Sequence, residues 1–265
     1  MTERRKAKEP VDSLIEVGSD IAGGIAGAAL GFFTIGPGGA VLGGAAAPLL
    51  THTFRKVASE IKHRYLSPRE EVRIGATIAF AVKKIQDNIA KGQHIRQDGF
   101  FETQPDKRAA AHEISEAILL AAQREFEEKK LRFYGNLLAN IAFHPEIDRA
   151  TANLLITLGQ RISYRQMILL SLFANKERFG LREEDYRNEV ITDPVEFGLL
   201  QEIYDLFSQH MLNASGGKSP TLIGGLLAVQ PAKMNVQGTG FTLYDLMELY
   251  EVDAQDLDNV AQLLR

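Results

Sequence analysis

Histidine is the first residue type to test for chemistry, because its imidazole serves both as a metal ligand and as a general acid or base near neutral pH. The chain has six histidines, at His52, His63, His94, His112, His144 and His210. His112 and Glu113 begin the pattern of a zinc-binding helix, but Glu116 stands where that motif needs its second histidine. We therefore expect His112 to lie on the surface of a helix.

Other signatures of catalysis are missing from the sequence. There is no cysteine, no nucleophile elbow, no Walker loop and no dinucleotide-binding fingerprint. Gly217-Lys218-Ser219 lacks the earlier spaced glycine of a phosphate-binding loop, so it is better explained as part of a flexible loop. The sequence therefore predicts a protein that is not an enzyme, with no cofactor and no metal site.

The most unusual feature is a glycine-rich segment near the start of the chain. The 34 residues from Ile21 to Phe54 include no Asp, Glu, Lys or Arg, and residues 21–50 hold nine of the 23 glycines. Soluble helices and strands usually keep one charged face in water, so this stretch needs a special setting. Basic residues flank it on both sides: Arg4, Arg5, Lys6 and Lys8 before it, and Arg55 and Lys56 after it. Such flanks suit a hairpin that enters a membrane and returns to the same anionic surface.

The glycines within this segment recur at helical spacing. Gly23, Gly27 and Gly31 lie four apart on one predicted helix, and the breaker Gly36-Pro37-Gly38 turns the chain. The second arm repeats the spacing with three small residues, Gly39, Gly43 and Ala47. Small residues four apart let two helix backbones approach closely. This segment resembles the glycine-zipper hairpins of membrane-associated proteins. The alternative is a buried helical hairpin at the centre of a soluble bundle or oligomer.

Helical spacing continues through most of the chain. Ser67-Pro68-Arg69-Glu70 has the sequence of a helix start with a capping box. Helices are predicted over about 67–91, 106–130, 131–144, 147–161, 163–176 and 194–211, with shorter ones at 181–188, from Thr242 and from Asp253. Ser163, Thr242 and Asp253 are predicted to cap their helices, and Asp193-Pro194 is predicted to start the helix over 194–211. The runs 226–230 and 233–238 are predicted to pair as a small β-hairpin. The predicted fold class is therefore mainly α.

Several polar and aromatic positions outside the glycine-rich segment invite an interpretation. In the loop 92–106, Phe100 and Phe101 are expected to be exposed. Asn136 and Asn140 either join helices through buried hydrogen bonds or face water, and we expect the second. The mixed charges of residues 125–132 are expected to form a solvated helix face.

Charge divides the chain into a basic front and an acidic back. Residues 1–162 carry 22 basic and 19 acidic side chains, a net charge of +3. Residues 163–265 carry 8 basic and 15 acidic side chains, a net charge of −7. We predict three parts: a glycine-zipper hairpin with basic flanks (1–66), a central helical domain (67–162) and an acidic domain (163–265). The element order of the last part resembles a winged helix. Its helix over 194–211 carries Glu196, Glu202 and Asp205 without any Lys or Arg, which favours a protein partner over DNA.

These features together predict a self-associating effector of bacterial type. Its hairpin is expected to engage the cytoplasmic face of the inner membrane and to permeabilise it or signal there, with a cytosolic form in the resting state. The membrane, a homo-oligomer and a protein docked on the last domain are the expected partners. The alternative is a soluble oligomeric regulatory or scaffold protein whose winged helix docks a protein, or less favourably DNA.

Overall fold

The computed structural model describes residues 66–103, 105, 107–215 and 225–265, together with Thr53, Lys56, Val57, Glu60 and Ile61. The described chain is mainly helical and contains one small two-stranded antiparallel sheet, which confirms the predicted fold class at that level. It divides into two compact units, unit 1 up to Gln160 and unit 2 from Arg161 onward. Among the described helices, none combines the length and the apolar composition needed to cross a bilayer.

From residue 66 onward, the described part of unit 1 forms four α-helices in which apolar residues recur at helical spacing. They are α1 (Pro68–Ala90), α2 (Ala110–Arg124), α3 (Leu131–Ile141) and α4 (Arg149–Arg161). The predicted capping box at the start of α1 is present: the Ser67 hydroxyl accepts from the Glu70 amide, and the Glu70 carboxylate accepts from the Ser67 amide. Beyond α1, Gly92 adopts a φ of +81°, which favours glycine and turns the chain away.

Helices α1 and α3 form the main contact of unit 1, and a glycine lies at its centre. A methyl group placed on Gly135 of α3 would lie 2.5 Å from Cβ of Phe80 and 2.9 Å from the Thr77 carbonyl oxygen, both on α1. The two backbones therefore approach more closely than any residue with a side chain would allow.

The predicted helix over 106–130 is wrong in its length. Helix α2 begins at Ala110 and ends at Arg124, and a separate 3₁₀ turn covers Glu128–Lys130. The chain leaves the helix because Glu125 takes an extended backbone, with ψ of 125°. This break turns the Lys130 side chain inward, so the charged run is not a uniformly solvated face; Lys130 is only 2% exposed.

The described residues of unit 2 form four α-helices and the small sheet. They are α5 (Tyr164–Ala174), α6 (Pro194–Ser208), β1 (Leu212–Ala214), β2 (Met234–Val236), α7 (Gly238–Leu246) and α8 (Ala254–Gln262). Strand β1 pairs with β2 so that Asn213 lies opposite Asn235. The predicted caps of α5, α6 and α8 are present, supplied by Ser163, Asp193 and Asp253.

Three predictions for unit 2 are wrong. Residues 181–188 form no helix, because the Arg182 amide donates to the Leu264 carbonyl and the Arg182 carbonyl accepts from Ala232. The strand partner of β2 is β1, while Gly225–Ala228 is a 3₁₀ turn. Thr242 lies inside α7 and does not cap it, since that helix begins four residues earlier.

Candidate functional site

Nearly all of the predicted site residues lie outside the part of the chain that the structure describes. These are the small-residue face (Gly23, Gly27, Gly31, Gly39, Gly43 and Ala47), the turn (Gly36, Pro37 and Gly38) and the basic residues Arg4, Arg5, Lys6, Lys8 and Arg55. The exception is Lys56, which is helical and exposed. The glycine face and the hairpin turn therefore stay predictions.

The end of the charge-free segment is joined to the core of unit 1. Thr53, Val57 and Ile61 are helical, lie four residues apart and are buried, with exposures of 2%, 0% and 0%. This spacing places them on one face of a helix, while Lys56 and Glu60 are exposed. We call the three buried residues the anchor stripe. Because it is part of the apolar core, it fixes where the glycine-rich segment meets the helical unit.

A small apolar pocket lies beside Thr53 and is closed by the loop after α1. The Phe100 and Phe101 rings pack edge to face, with centroids 5.1 Å apart. Both are buried, with 8% and 9% exposure, so the expectation that this pair faces solvent is wrong. The remaining lining comes from α2, α3 and the residue after α3: Ala111, Ile114, Ser115, Leu138, Ile141 and Ala142.

Arg96 holds this loop against the end of α3. The last carbonyl groups of a helix have no donor within it, and here a guanidinium supplies several donors. Its Nη1 donates to the carbonyl oxygens of Ile147 at 2.8 Å and Ile141 at 3.3 Å, and its Nη2 donates to Pro145 at 3.1 Å. The side chain also pairs with Asp98 through Nε at 2.9 Å, and lies 4.3 Å from the centre of the Phe100 ring.

The Arg96–Asp98 pair explains the electrostatics of the loop. The hydrogen bond from Arg96 lowers the pKa of the Asp98 carboxyl below its usual value, although partial burial opposes this change. Asp98 therefore stays ionised and balances a guanidinium whose side chain is only 3% exposed. The covering loop is thus pinned by a charged group, and this is why its two phenylalanines remain buried.

A second buried charge pair lies where α2 leads into α3. Lys130 Nζ is 2.6 Å from the Glu125 carboxylate, and both side chains are largely buried, at 2% and 11% exposure. The Tyr134 hydroxyl lies 3.1 Å from Glu125 Oε2 and 3.1 Å from the Gly159 carbonyl oxygen, so it can donate to either. Burial and the neighbouring Glu125 charge raise the pKa of Tyr134 well above its ordinary value. This tyrosine stays protonated, and the cluster joins α2, α3 and α4.

Two further polar predictions in unit 1 are wrong, because tertiary packing covers the positions. His112 is 3% exposed on α2 and does not lie on the surface. Asn136 and Asn140 are 4% and 5% exposed, and the Asn140 side-chain oxygen accepts from Asn88 of α1 at 2.9 Å. Asn140 of α3 therefore joins two helices, which is the less favoured of the two alternatives stated from the sequence.

The described residues contain no group of three or more His, Asp or Glu side chains arranged to hold a metal ion. The described geometry provides a buried anchor, a pocket covered by a pinned loop, and buried polar pairs between helices. The sequence reasoning missed the anchor stripe, although its i, i+4, i+8 spacing was a usable signal. It missed Arg96 because a single arginine in a polar loop has no recognisable pattern.

Comparison with known proteins adds no relative to these observations. No protein-family model, no curated protein and no solved structure matches this chain.

Proposed function

We propose that this chain is a non-enzymatic, self-associating effector whose glycine-rich hairpin engages the cytoplasmic face of a bacterial inner membrane. One observation carries the proposal: 34 consecutive residues, from Ile21 to Phe54, lack any charge and lie between basic flanks. An apolar segment of that kind is stabilised by lipid, and its cationic flanks are attracted to anionic headgroups. The masked state of the hairpin is the resting, cytosolic form.

The length of the hairpin favours insertion into one leaflet. Each arm offers about 13–15 uncharged residues, roughly 20–22 Å of helix, whereas the hydrocarbon core is about 30 Å thick. A shallow hairpin deforms a leaflet, and several hairpins associated through small-residue faces would permeabilise it. The anchor stripe supports a role for unit 1 in this step, because it ties the end of the segment to a rigid helical core.

Vesicle flotation tests the membrane proposal. The full chain is expected to float with vesicles rich in anionic lipid, and a variant lacking residues 21–50 is expected to remain folded in the soluble fraction. Failure of the full chain to float with any vesicle composition would refute the proposal.

The small-residue face is tested by a matched pair of substitutions. An isopropyl group on Gly27 overpacks a close helix contact at a cost of about 1–3 kcal/mol. Gly27→Val is expected to weaken crosslinking and dye leakage, while Ala28→Val, one position round the helix, has much less effect. Equal behaviour of the two variants would remove the glycine face from the mechanism.

A soluble oligomeric scaffold is the second candidate, and a specific observation favours it. Thr53, Val57 and Ile61 are buried in the core of unit 1, so an adjoining apolar segment has a protein surface near it on which to pack. In this proposal unit 2 is a protein-docking module, and its helix α6 carries no Lys or Arg. Its element order of α5, α6, the sheet and α7 lacks the short helix over 181–188 that belonged to the predicted winged-helix order. This candidate would be supported by an oligomer that does not float with vesicles and that dissociates when residues 21–50 are removed.

A further inference from the structure

A row of three aromatic rings runs across α7 and the 3₁₀ turn that follows it. The ring centroids of Phe241 and Tyr244 are 6.2 Å apart, and those of Tyr244 and Tyr250 are 5.9 Å apart. Phe241 and Tyr250, at the two ends of the row, are 52% and 51% exposed. Half-exposed aromatic side chains that touch one another offer a continuous surface to a partner.

The positions of these rings are fixed by the surrounding fold. Tyr244 in the middle of the row accepts a hydrogen bond at 3.1 Å from the side-chain amide of Asn175, at the end of α5. Glu248 adopts the left-handed conformation, with φ of +56°, and this turn carries Tyr250 back toward Tyr244. Burial, together with the Glu248 carboxylate, raises the pKa of the Tyr250 hydroxyl, so this ring stays neutral. The row is therefore preorganised.

The charged side chains of the chain segment that carries the row have a single sign. Residues 241–258 include six acidic side chains and no Lys or Arg: Asp245, Glu248, Glu251, Asp253, Asp256 and Asp258. Asp245 is exposed and lies next to Tyr244 in the chain. Lys176, which follows Asn175, donates to the Asn235 side chain at 2.7 Å. A cation approaching the rings therefore meets an electronegative surface, and an anion is repelled.

We propose that this aromatic–acidic surface, defined as Phe241, Tyr244, Asp245 and Tyr250, docks an arginine-rich segment of a partner protein. A guanidinium stacks on aromatic faces and forms two-point hydrogen bonds with carboxylates, so it matches both features of the surface. Lysine carries the charge but lacks the planar fork that stacks on a ring and makes two hydrogen bonds to one carboxylate. The proposal deepens the docking role proposed above for unit 2 and rests on it, because it names the surface and the chemistry of the partner.

Binding of a labelled synthetic peptide of alternating arginine and serine to the full chain tests the proposal. Phe241→Ala and Tyr250→Ala are each expected to weaken binding about tenfold, as the loss of an aromatic hot-spot residue of an interface does. Tyr250→Phe keeps the ring and is expected to bind as the unaltered chain does. Asp245→Asn is expected to weaken binding and to reduce its salt dependence.

Two control variants separate this surface from general attraction to an acidic protein. Phe197→Ala removes a 48% exposed ring from α6. Glu183→Gln removes one negative charge, as Asp245→Asn does, at an exposed position outside residues 241–258. Both controls are expected to bind normally, and the same peptide with lysine in place of arginine is expected to bind more weakly. Absence of arginine-peptide binding, or equal losses in control and surface variants, would overturn the proposal. Vesicle flotation does not involve this surface, so either result can fail without the other.

Discussion

Replacing Gly135 by alanine is expected to destabilise unit 1, although alanine is the better helix former. The added methyl carbon would lie 2.5 Å from Phe80 Cβ, 2.9 Å from the Thr77 carbonyl oxygen and 3.1 Å from the Ala81 amide nitrogen. All three atoms belong to the backbone of α1 or to the first carbon of a side chain, so none can rotate away. The methyl group is accommodated only if α1 and α3 move apart.

The magnitude follows from two opposing effects. Helix propensity favours alanine over glycine by about 0.8–1 kcal/mol. Carbon atoms prefer separations of about 3.5–4.0 Å, so relief of the closest contact needs a shift of roughly 1 Å. Overpacking of this kind costs about 1–3 kcal/mol, and the rigid neighbours place Gly135→Ala at the upper end. The net loss of folding stability is therefore about 2 kcal/mol.

Gly198→Ala is the matched control, with the opposite expected sign. Gly198 lies in α6, and a methyl group there meets nothing closer than the Arg165 guanidinium nitrogen at 3.4 Å, the flexible end of a long side chain. This variant is expected to gain up to about 1 kcal/mol. Hydrogen exchange of α1 and α3 peptides reports on the first variant, and that of α6 peptides on the second. A neutral or stabilising Gly135→Ala would refute the close approach of α1 and α3.

Two further predictions concern the buried charges of unit 1. Arg96→Ala removes the donors to three carbonyl oxygens and is expected to lower the free energy of unfolding by about 2–4 kcal/mol. The loss is measured as faster hydrogen exchange over residues 93–103. Arg96→Lys lacks the planar fork and is expected to recover less than half of the lost stability. Unchanged exchange in that loop would contradict its pinning. Lys130→Met leaves Glu125 buried without its partner at 2.6 Å. The free energy of unfolding, measured with denaturant, is expected to fall by about 3–5 kcal/mol. Adding Glu125→Gln is expected to restore most of that loss, and strictly additive effects would show that the pair is not coupled.

Local signals in the sequence predicted local structure well. The starts of α1, α5, α6 and α8 depend on a capping side chain and a few neighbouring amides, so Ser67, Ser163, Asp193 and Asp253 were predictable. Contacts between distant residues were not. The burial of Phe100 depends on Arg96 reaching the carbonyls after α3, and no pattern near Phe100 indicates it.

The same difference between local and distant signals applies to residues 181–188 and to the candidate site. Residues 181–188 have an acceptable helical pattern, but backbone hydrogen bonds to Ala232 and Leu264 hold them in an irregular conformation. At the candidate site, Thr53, Val57 and Ile61 belong to residues 1–66, which were predicted as the glycine-zipper hairpin with its basic flanks. Only the packing of unit 1 identifies these residues as an anchor. The glycine face remains a prediction.

The backbone hydrogen bonds of Arg182 have a consequence for the order in which the chain folds during synthesis. Unit 2 closes only after Leu264 has left the ribosome, because the Arg182 amide donates to the Leu264 carbonyl at 2.9 Å. Helices α1 to α3 and all but the last residue of α4 belong to a compact unit that ends at Gln160. At translation rates of about 5–20 residues per second, unit 1 has roughly 5–20 s to fold before unit 2 is complete. The anchor stripe is therefore buried on the nascent chain before the aromatic–acidic surface exists.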